Sequence, residues 1–306
     1  MKKTHLSILT LLLCMLFAAC EKAVFEENNQ KPEPKPNDKN AMELVFNITQ
    51  FEQTDFSGLT AASRAVSIGE VCSRINLAVY QDGARVKYVN QKTGDSNFGR
   101  ISLTLPQGNY ELVVLAHSCD GNATMTTLNK LTFPNNKLTD TFYCYMPLSV
   151  TSNGEHNLTL SRAVAMVRFQ IEDAMPSSVK KMKFYYTGGS STFDPVAGYG
   201  CVNSKQTEYR DVTASMVGQP TTFELFTLPH ADNGELKMTI SALDASENVV
   251  KEMTLEQIPV TINKITQYSG KFFDGTSGGG GGSESNASEF VFYVEQEWEG
   301  TNNYSY

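Results

Sequence analysis

The sequence is poor in the residues from which catalytic and metal sites are usually built. It has four His and one Trp in 306 residues. It contains no His-Glu-x-x-His motif, no Gly-Lys-Ser/Thr phosphate loop and no Cys-x-x-Cys pair. Lys and Arg number 25 against 33 Asp and Glu, a net charge of −8, and no basic run occurs. An acidic chain of this kind argues against nucleic acid as an electrostatic partner.

Two short motifs formally match functional patterns, but their context argues against chemistry. The stretch 275–279 fits Gly-x-Ser-x-Gly, yet it opens a glycine run, whereas a nucleophile elbow lies between a strand and a helix. His117, Cys119 and Asp120 lie close in sequence at the end of a strand pattern, where neighbouring side chains point to opposite faces. We therefore expect no enzyme activity, no catalytic residue, no cofactor and no metal site.

The sequence has one long hydrophobic run, at its N-terminus. Residues 6–19 are almost wholly apolar and follow Lys2 and Lys3, but they are shorter than the ~20 residues of a membrane span. Ala18 and Ala19 precede Cys20 as in a bacterial lipobox. We predict a lipoprotein signal peptide over 1–19, cleavage between Ala19 and Cys20, and lipidation of Cys20. The alternative is an ordinary secretory signal that ends near a cysteine.

Lipidation of Cys20 predicts where the protein resides. A diacylglycerol and an N-linked acyl chain such as palmitate anchor a protein stably, whereas one chain binds only marginally. Glu21 follows the cysteine, so nothing here resembles an inner-membrane retention signal with Asp at that position. We expect a surface-exposed protein tethered to the lipid of the cell outer membrane.

Composition divides the rest of the chain into segments. Residues 20–41 contain Pro32, Pro34 and Pro36 and predict a Pro-rich stalk, and residues 276–288 predict a Gly-rich linker. Between them, alternate positions are apolar, as in the stretches 75–80, 101–105 and 235–242, and turn signals such as Asp82-Gly83 separate these runs. No long segment has helical periodicity. The pattern predicts an all-β protein, most simply Greek-key sandwiches.

A faint internal repeat suggests two copies of one domain. Leu105-Pro106 recurs as Leu228-Pro229, at an offset of 228 − 105 = 123 residues. The stretch 136–139 (Asn-Lys-Leu-Thr) is echoed by 263–266 (Asn-Lys-Ile-Thr), at an offset of 263 − 136 = 127 residues. We predict tandem β-sandwiches over 42–155 and 156–275.

Four cysteines remain besides Cys20 and Cys14 of the signal peptide. They are Cys72, Cys119, Cys144 and Cys201. In an exported protein these cysteines can be oxidised to disulfides, and four cysteines allow three complete pairings. Buried free thiols are an equally open alternative.

The C-terminal segment 289–306 predicts a further strand after the linker. Its apolar face consists of Phe290, Phe292, Val294 and Trp298. This strand has two possible positions: the last strand of its own sandwich, or a donor strand added to a neighbouring molecule.

Several motifs resemble those of the Bacteroidales type V fimbrillins, and of the fimbrillin-associated anchor family in particular. They are the lipobox at Cys20, Arg162-Ala163-Val164-Ala165, Ile258-Pro259-Val260, the stretch 263–266, Gly270-Lys271-Phe272-Phe273 and Glu297-Trp298-Glu299-Gly300. The resemblance implies a lipoprotein precursor with two transthyretin-like sandwiches. It also implies assembly into a surface fimbrium through strand addition with other fimbrial subunits.

The resemblance gives Arg64 a possible role. Polymerising fimbrillins of this family are cut by an Arg-specific protease, and a cut between Arg64 and Ala65 would sever the lipid from the body. An anchor must avoid that cut, whereas a stalk or tip subunit requires it; Arg64 as an ordinary solvated loop residue is the simpler hypothesis. We expect a fimbrial anchor or assembly subunit. The alternatives are a released stalk or tip subunit and a surface carbohydrate-binding lipoprotein.

Overall fold

The computed structural model describes residues 41–52, 67–274, 294–296 and 302–304, the last two ranges by their backbone strands only. One short helix, α1, spans Ile68–Val71, and a 3₁₀ turn spans Pro134–Asn136. All other regular elements are strands. They are β1 (Ala41–Glu52), β2 (Arg74–Gln81), β3 (Ala84–Lys92), β4 (Arg100–Pro106), β5 (Gly108–His117), β6 (Thr124–Thr127), β7 (Lys130–Thr132), β8 (Phe142–Val150), β9 (Gly154–Arg162), β10 (Ala165–Ile171), β11 (Lys181–Thr187), β12 (Thr192–Asp194), β13 (Tyr199–Gly200), β14 (Gln206–Asp211), β15 (Thr221–Thr227), β16 (Asn233–Leu243), β17 (Val249–Thr261), β18 (Ile265–Gly270), β19 (Val294–Gln296) and β20 (Asn302–Tyr304).

The first sandwich is one curled sheet of seven strands in the order β3-β2-β5-β8-β9-β1-β4. It folds over at β8 and β9, which pair only at Phe142–Arg162 and Tyr143–Ser161. The layers β3-β2-β5-β8 and β9-β1-β4 thus face each other across a hydrophobic core. Strand β4 alternates buried and exposed residues along its whole length, as its sequence predicts.

The second sandwich repeats this strand order with separate sheets. Its layers are β14-β11-β16-β17 and β15-β10-β18, and they enclose a second core. Strand β10 runs parallel to β18, just as β1 runs parallel to β9. The Leu105-Pro106 and Leu228-Pro229 motifs lie at equivalent connections, β4 to β5 and β15 to β16. The prediction of two all-β sandwiches is therefore confirmed, although the second sequence echo joins non-equivalent positions.

A third core joins the two sandwiches. The hairpin β6–β7 from the first and the hairpin β12–β13 from the second form one four-stranded sheet, through the pairs Thr192–Thr132 and Phe193–Leu131. Residues from both sandwiches pack beneath it, including Tyr80, Leu131, Val164 and Phe193. This core covers the outer face of β2, which is therefore buried on both faces and not half-buried as its alternation predicted.

The strand pairing corrects the predicted boundary at 155/156. Strand β9 pairs with β1 and β8, so residues 156–162 belong to the first sandwich. The second begins with β10 at Ala165. In the sequence, Arg162 directly precedes an apolar run that continues through β10, and this favours assigning Arg162 to the second sandwich. Strand pairing instead places Arg162 at the junction between the two sandwiches.

Candidate functional site

Most of the predicted site residues lie outside the described residues. They are Ala19, Cys20, Arg64, Ala65, Phe290, Phe292 and Trp298, together with the Gly-x-Ser-x-Gly stretch. Val294 begins β19, which pairs with β20 in a short antiparallel hairpin and lies near β18. The part of the chain that the structure describes contains no helix long and apolar enough to cross a bilayer.

Strand β1 lies between the predicted stalk and Arg64, and it is paired along both edges. It runs antiparallel to β4 from Ala41 to Asn47 and parallel to β9 from Leu44 to Glu52. Leu44, Phe46 and Ile48 point into the first core and are 2%, 1% and 5% exposed. Because β1 lies between two strands and fills part of the core, it is an integral part of the first sandwich.

A polar cluster ties β1 to its neighbours on the outer face. Arg100 on β4 donates from Nη1 to Asn47 Oδ1 and to Glu155 Oε1 on β9, both at 2.8 Å. Asn47 in turn donates from Nδ2 to Glu155 Oε1 at 2.7 Å. These hydrogen bonds, that from Asn47 first, lower the pKa of the Glu155 carboxyl. The cluster spans all three strands of this layer.

A buried ion pair holds the junction between the sandwiches. The guanidinium of Arg162, whose side chain is 2% exposed, binds Asp140 through both carboxylate oxygens at 2.7 and 2.9 Å. Its Nη1 also donates to Asn263 Oδ1 at 2.9 Å, and its Cζ lies 4.7 Å from the centre of the Phe142 ring. Burial raises the pKa of Asp140, opposed by the hydrogen bond from Arg162.

The sequence motifs around Arg162 and Asn263 meet at this junction. The backbone N–H of Asn263 donates to the carbonyl of Val164 at 2.9 Å, and the backbone N–H of Met166 donates to the carbonyl of Lys264 at 3.0 Å. Asn263 has a φ of 60°, a conformation that asparagine tolerates in a tight turn. The sequence contains both motifs but does not predict their contact. A charge placed directly before a buried apolar run was the available signal, because such a charge needs a partner.

The end of the second sandwich is held by a single carboxylate. Asp173, which follows β10, accepts hydrogen bonds from the backbone amides of Phe272 at 3.0 Å and Asp274 at 2.8 Å, and also from that of Phe273. Phe272 and Phe273 are buried in the second core. The chain is thus fixed immediately before the predicted linker.

The residues His117, Cys119 and Asp120 do not form a metal site in the structure. His117 is fully buried and its Nε2 lies 2.8 Å from Asn76 Oδ1, while its Nδ1 accepts from the Cys119 amide at 3.2 Å. Burial, with a smaller contribution from Arg74, lowers the pKa of His117 to about 4. Among the described residues, no group of three or more His, Cys, Asp or Glu is arranged to hold a metal ion.

All four cysteines of the described body are free thiols. Cys72 and Cys119 are buried, Cys144 is partly buried and Cys201 is exposed. Burial raises the pKa of all four, and that of Cys72 to about 12. Of the alternatives left open by the sequence, the structure has unpaired thiols.

Comparison with known families identifies the chain's relatives. The family model described as "Fimbrillin-A associated anchor proteins Mfa1 and Mfa2" matches residues 55–291, which is more than half of the chain. The chain belongs to this family. The description of this family is of fimbrial anchor proteins and names no enzyme. The resemblance seen in the sequence is therefore confirmed, and with it an association with fimbriae.

The solved structures that match the chain include fimbrial proteins. A fimbrial assembly protein from Parabacteroides distasonis is 13% identical, with a TM-score of 0.43, and the match covers 87% of this chain and 98% of that one. The fimbrial anchor protein Mfa2 from Porphyromonas gingivalis is 12% identical, with a TM-score of 0.42 and coverages of 75% and 90%. The tip fimbrial protein Mfa3 from the same organism is 9% identical, with a TM-score of 0.38 and coverages of 77% and 96%. No curated protein sequence matches the chain.

Proposed function

We propose that this protein is a fimbrial anchor or assembly subunit, held at the cell outer membrane by a lipid on Cys20 and joined to other fimbrial subunits by β-strand pairing. Family membership supports the fimbrial role. The observation that best supports the anchor role is that β1, the first described strand after the stalk, pairs with a neighbouring strand along each of its two edges. Force on a lipid tether would act along the axis of β1. The hydrogen bonds between the strands run across that axis, so the force would be distributed over all of them together.

The rival hypothesis within the family is a stalk or tip subunit cut after Arg64. Since β1 precedes Arg64, such a cut would detach β1 from the following chain, and its loss would remove Leu44, Phe46 and Ile48 from the first core. The gap left between β9 and β4 would then have to be filled by a strand from another molecule. An anchor keeps β1, whereas a polymerising subunit exchanges it.

The mature N-terminus distinguishes the two hypotheses. Mass spectrometry of the surface protein should find an acylated Cys20 if the protein is an anchor, and a start at Ala65 if it is a released subunit. Cys20→Ser should move the protein out of the membrane fraction, while the matched control Cys201→Ser should leave it there. Unchanged membrane fractionation of Cys20→Ser would contradict lipid tethering.

Strand pairing with other subunits is tested separately from the lipid. The proposed donor face is Phe290, Phe292, Val294 and Trp298. Deletion of residues 289–306 should abolish co-purification with fimbrial subunits from detergent extracts if this segment is a donor strand. If it instead completes its own sandwich, the deletion should lower the stability of the second sandwich.

One observation favours carbohydrate binding as a second candidate. Tyr185 on β11 and Tyr209 on β14 are 37% and 51% exposed on the outer face of the second sandwich. Their strands are adjacent, and Tyr185 lies opposite Thr207, two residues from Tyr209. Exposed aromatic rings of this kind are able to stack on sugars. Micromolar binding on a glycan array that is lost in Tyr209→Ala would support this function, and no binding would remove it.

A further inference from the structure

The outer face of the sheet β14-β11-β16-β17 carries two exposed tyrosine rings. Side chains at every second residue of a strand share a face, and so do residues directly opposite each other on neighbouring strands. Tyr209 on β14 lies opposite Lys183 on β11, and Tyr185 follows Lys183 by two residues, so both rings project from the same face. Diagonal neighbours of this kind are roughly 7–8 Å apart, which allows one extended ligand to touch both rings.

Both rings are available for contact. Tyr185 is 37% exposed and Tyr209 is 51% exposed, and within the described residues neither hydroxyl takes part in a hydrogen bond. The Lys181 ammonium lies 5.4 Å from the centre of the Tyr209 ring, yet half of that residue remains open to solvent. Each tyrosine thus offers an apolar ring together with a free hydroxyl, a combination that suits a sugar, whose rings have apolar C–H faces and polar edges.

Polar side chains surround the two rings. Lys183 lies directly opposite Tyr209 on one side and Ser241 on the other, and in the described part of the chain its ammonium has neither an ion pair nor a hydrogen bond. Ser241 donates to Glu252 Oε2 at 2.7 Å. The remaining side chains near the rings on this face are hydroxyls, those of Thr207, Thr239 and Thr254.

The charges on this face carry no positive excess. The ion pairs that flank it are Lys181–Glu247 at 2.9 Å and Lys237–Glu256 at 2.8 Å. Lys183 and Glu252 have opposite signs and are separated by one strand, and Asp211 adds a negative charge at the end of β14. The whole chain has a net charge of −8. Neither the face nor the protein as a whole attracts an anionic ligand.

We infer that this face binds a neutral polysaccharide, with sugar rings stacked on Tyr185 and Tyr209 and sugar hydroxyls bonded to Lys183 and Glu252. A lysine only donates hydrogen bonds and an ionised glutamate only accepts them, whereas a hydroxyl does both, so the two side chains complement a sugar. A protein partner would meet a face rich in charges and hydroxyls, whereas the centres of protein interfaces are depleted of charge. The inference rests on carbohydrate binding as proposed above and names the class of sugar.

The test measures binding of the full-length protein by electrophoresis in gels that contain a mixed-linkage β-glucan, a galactomannan or polygalacturonate. At least one of the two neutral polymers should retard the protein, and polygalacturonate should not. Added salt should leave the retardation unchanged, because screening weakens only interactions between charges.

Substitutions on the face separate stacking from hydrogen bonding. Tyr185→Ala should weaken binding about tenfold through the loss of a stacked ring. Lys183→Met keeps the aliphatic stem but removes the ammonium, and it should weaken binding about three- to tenfold. Lys87→Met makes the same change at a partly exposed lysine of the first sandwich and should leave binding unchanged.

Several outcomes would overturn the inference. They are retardation by neither neutral polymer, retardation that disappears in salt, and unchanged binding in both Tyr185→Ala and Lys183→Met. Retardation by polygalacturonate alone would overturn the neutral class and leave carbohydrate binding standing, whereas a glycan array without any binding would remove both. The fimbrial role is tested through the lipid and through co-purification, so it stands or falls separately.

Discussion

Replacing Arg162 by methionine should weaken the junction between the sandwiches more than any surface ion pair would. Methionine keeps much of the side-chain volume but removes the guanidinium that binds Asp140 and Asn263. The Asp140 carboxylate, itself 25% exposed, then loses its partner while it remains largely shielded from water.

The expected size follows from the burial of the pair. Removing one partner of a buried ion pair costs roughly 3–5 kcal/mol, because the remaining charge is left uncompensated. Asp140 keeps some contact with water, so Arg162→Met should lower the free energy of unfolding by about 3 kcal/mol, the lower end of that range. Replacing Asp140 by leucine as well removes the stranded charge, so the double variant should be more stable than Arg162→Met alone.

Urea unfolding followed by tyrosine fluorescence and circular dichroism measures these differences. Arg168→Met is the matched control, because Arg168 pairs with Glu224 at a similar distance of 2.8 Å but is 23% exposed. Its loss should be below about 1 kcal/mol. An Arg162→Met variant no less stable than this control, or a double variant in which both losses add, would refute the argument that a buried charge pair holds the junction.

Three further predictions concern the core, a buried base and the thiols. Phe46→Ala should lower the free energy of unfolding by about 3–5 kcal/mol because the ring is 1% exposed, whereas Val45→Ala on the outer face of β1 should cost well under half of that in the same urea titration. Burial holds the pKa of His117 at about 4, below its ordinary value of 6.5, so the unfolded chain takes up a proton first as the pH falls. The contribution of His117 to the free energy of unfolding is present above pH 6.5 and should be lost as the pH falls from 6.5 to about 4. The loss should be about 3 kcal/mol in all, and it should be missing in His117→Gln. Alkylation of the native protein followed by peptide mapping should label the exposed Cys201 well before the buried Cys72, whose pKa of about 12 leaves little thiolate; equal rates would contradict the buried position of Cys72.

Local sequence patterns predicted the strands well where one face meets water. Strand β4 follows its alternation along its whole length, and β16 follows it as far as Ile240, after which Ser241, Ala242 and Leu243 are all buried. The turn at Asp82-Gly83 also forms where expected, and both residues have positive φ. The same rule failed for β2, because the hairpin β6–β7 and the junction core cover the face that alternation assigns to solvent. No pattern within β2 indicates that this face is covered by the hairpin β6–β7, which begins 124 − 81 = 43 residues after β2 ends.

The candidate sites divide along the same line. Lipidation at Cys20, cleavage near Arg64 and a donor strand at residues 289–306 were predicted from local motifs and stay predictions, since these residues lie outside the described body apart from the short strands β19 and β20. The polar cluster of Asn47, Arg100 and Glu155 was not predicted from the sequence. Its members come from three strands, and the order in which these strands pair cannot be read from the sequence of any one of them.

The amino-acid order alone determined that the protein is built of strands, that it contains a repeated unit and that it resembles fimbrial anchor proteins. Each of these depends on periodicity or on short motifs, which are properties of neighbouring residues. Only the tertiary structure decided that β1 lies between two partner strands and that Arg162 and Asn263 meet at the junction. Those features depend on which strands become neighbours in space, and that is settled by packing the whole chain at once.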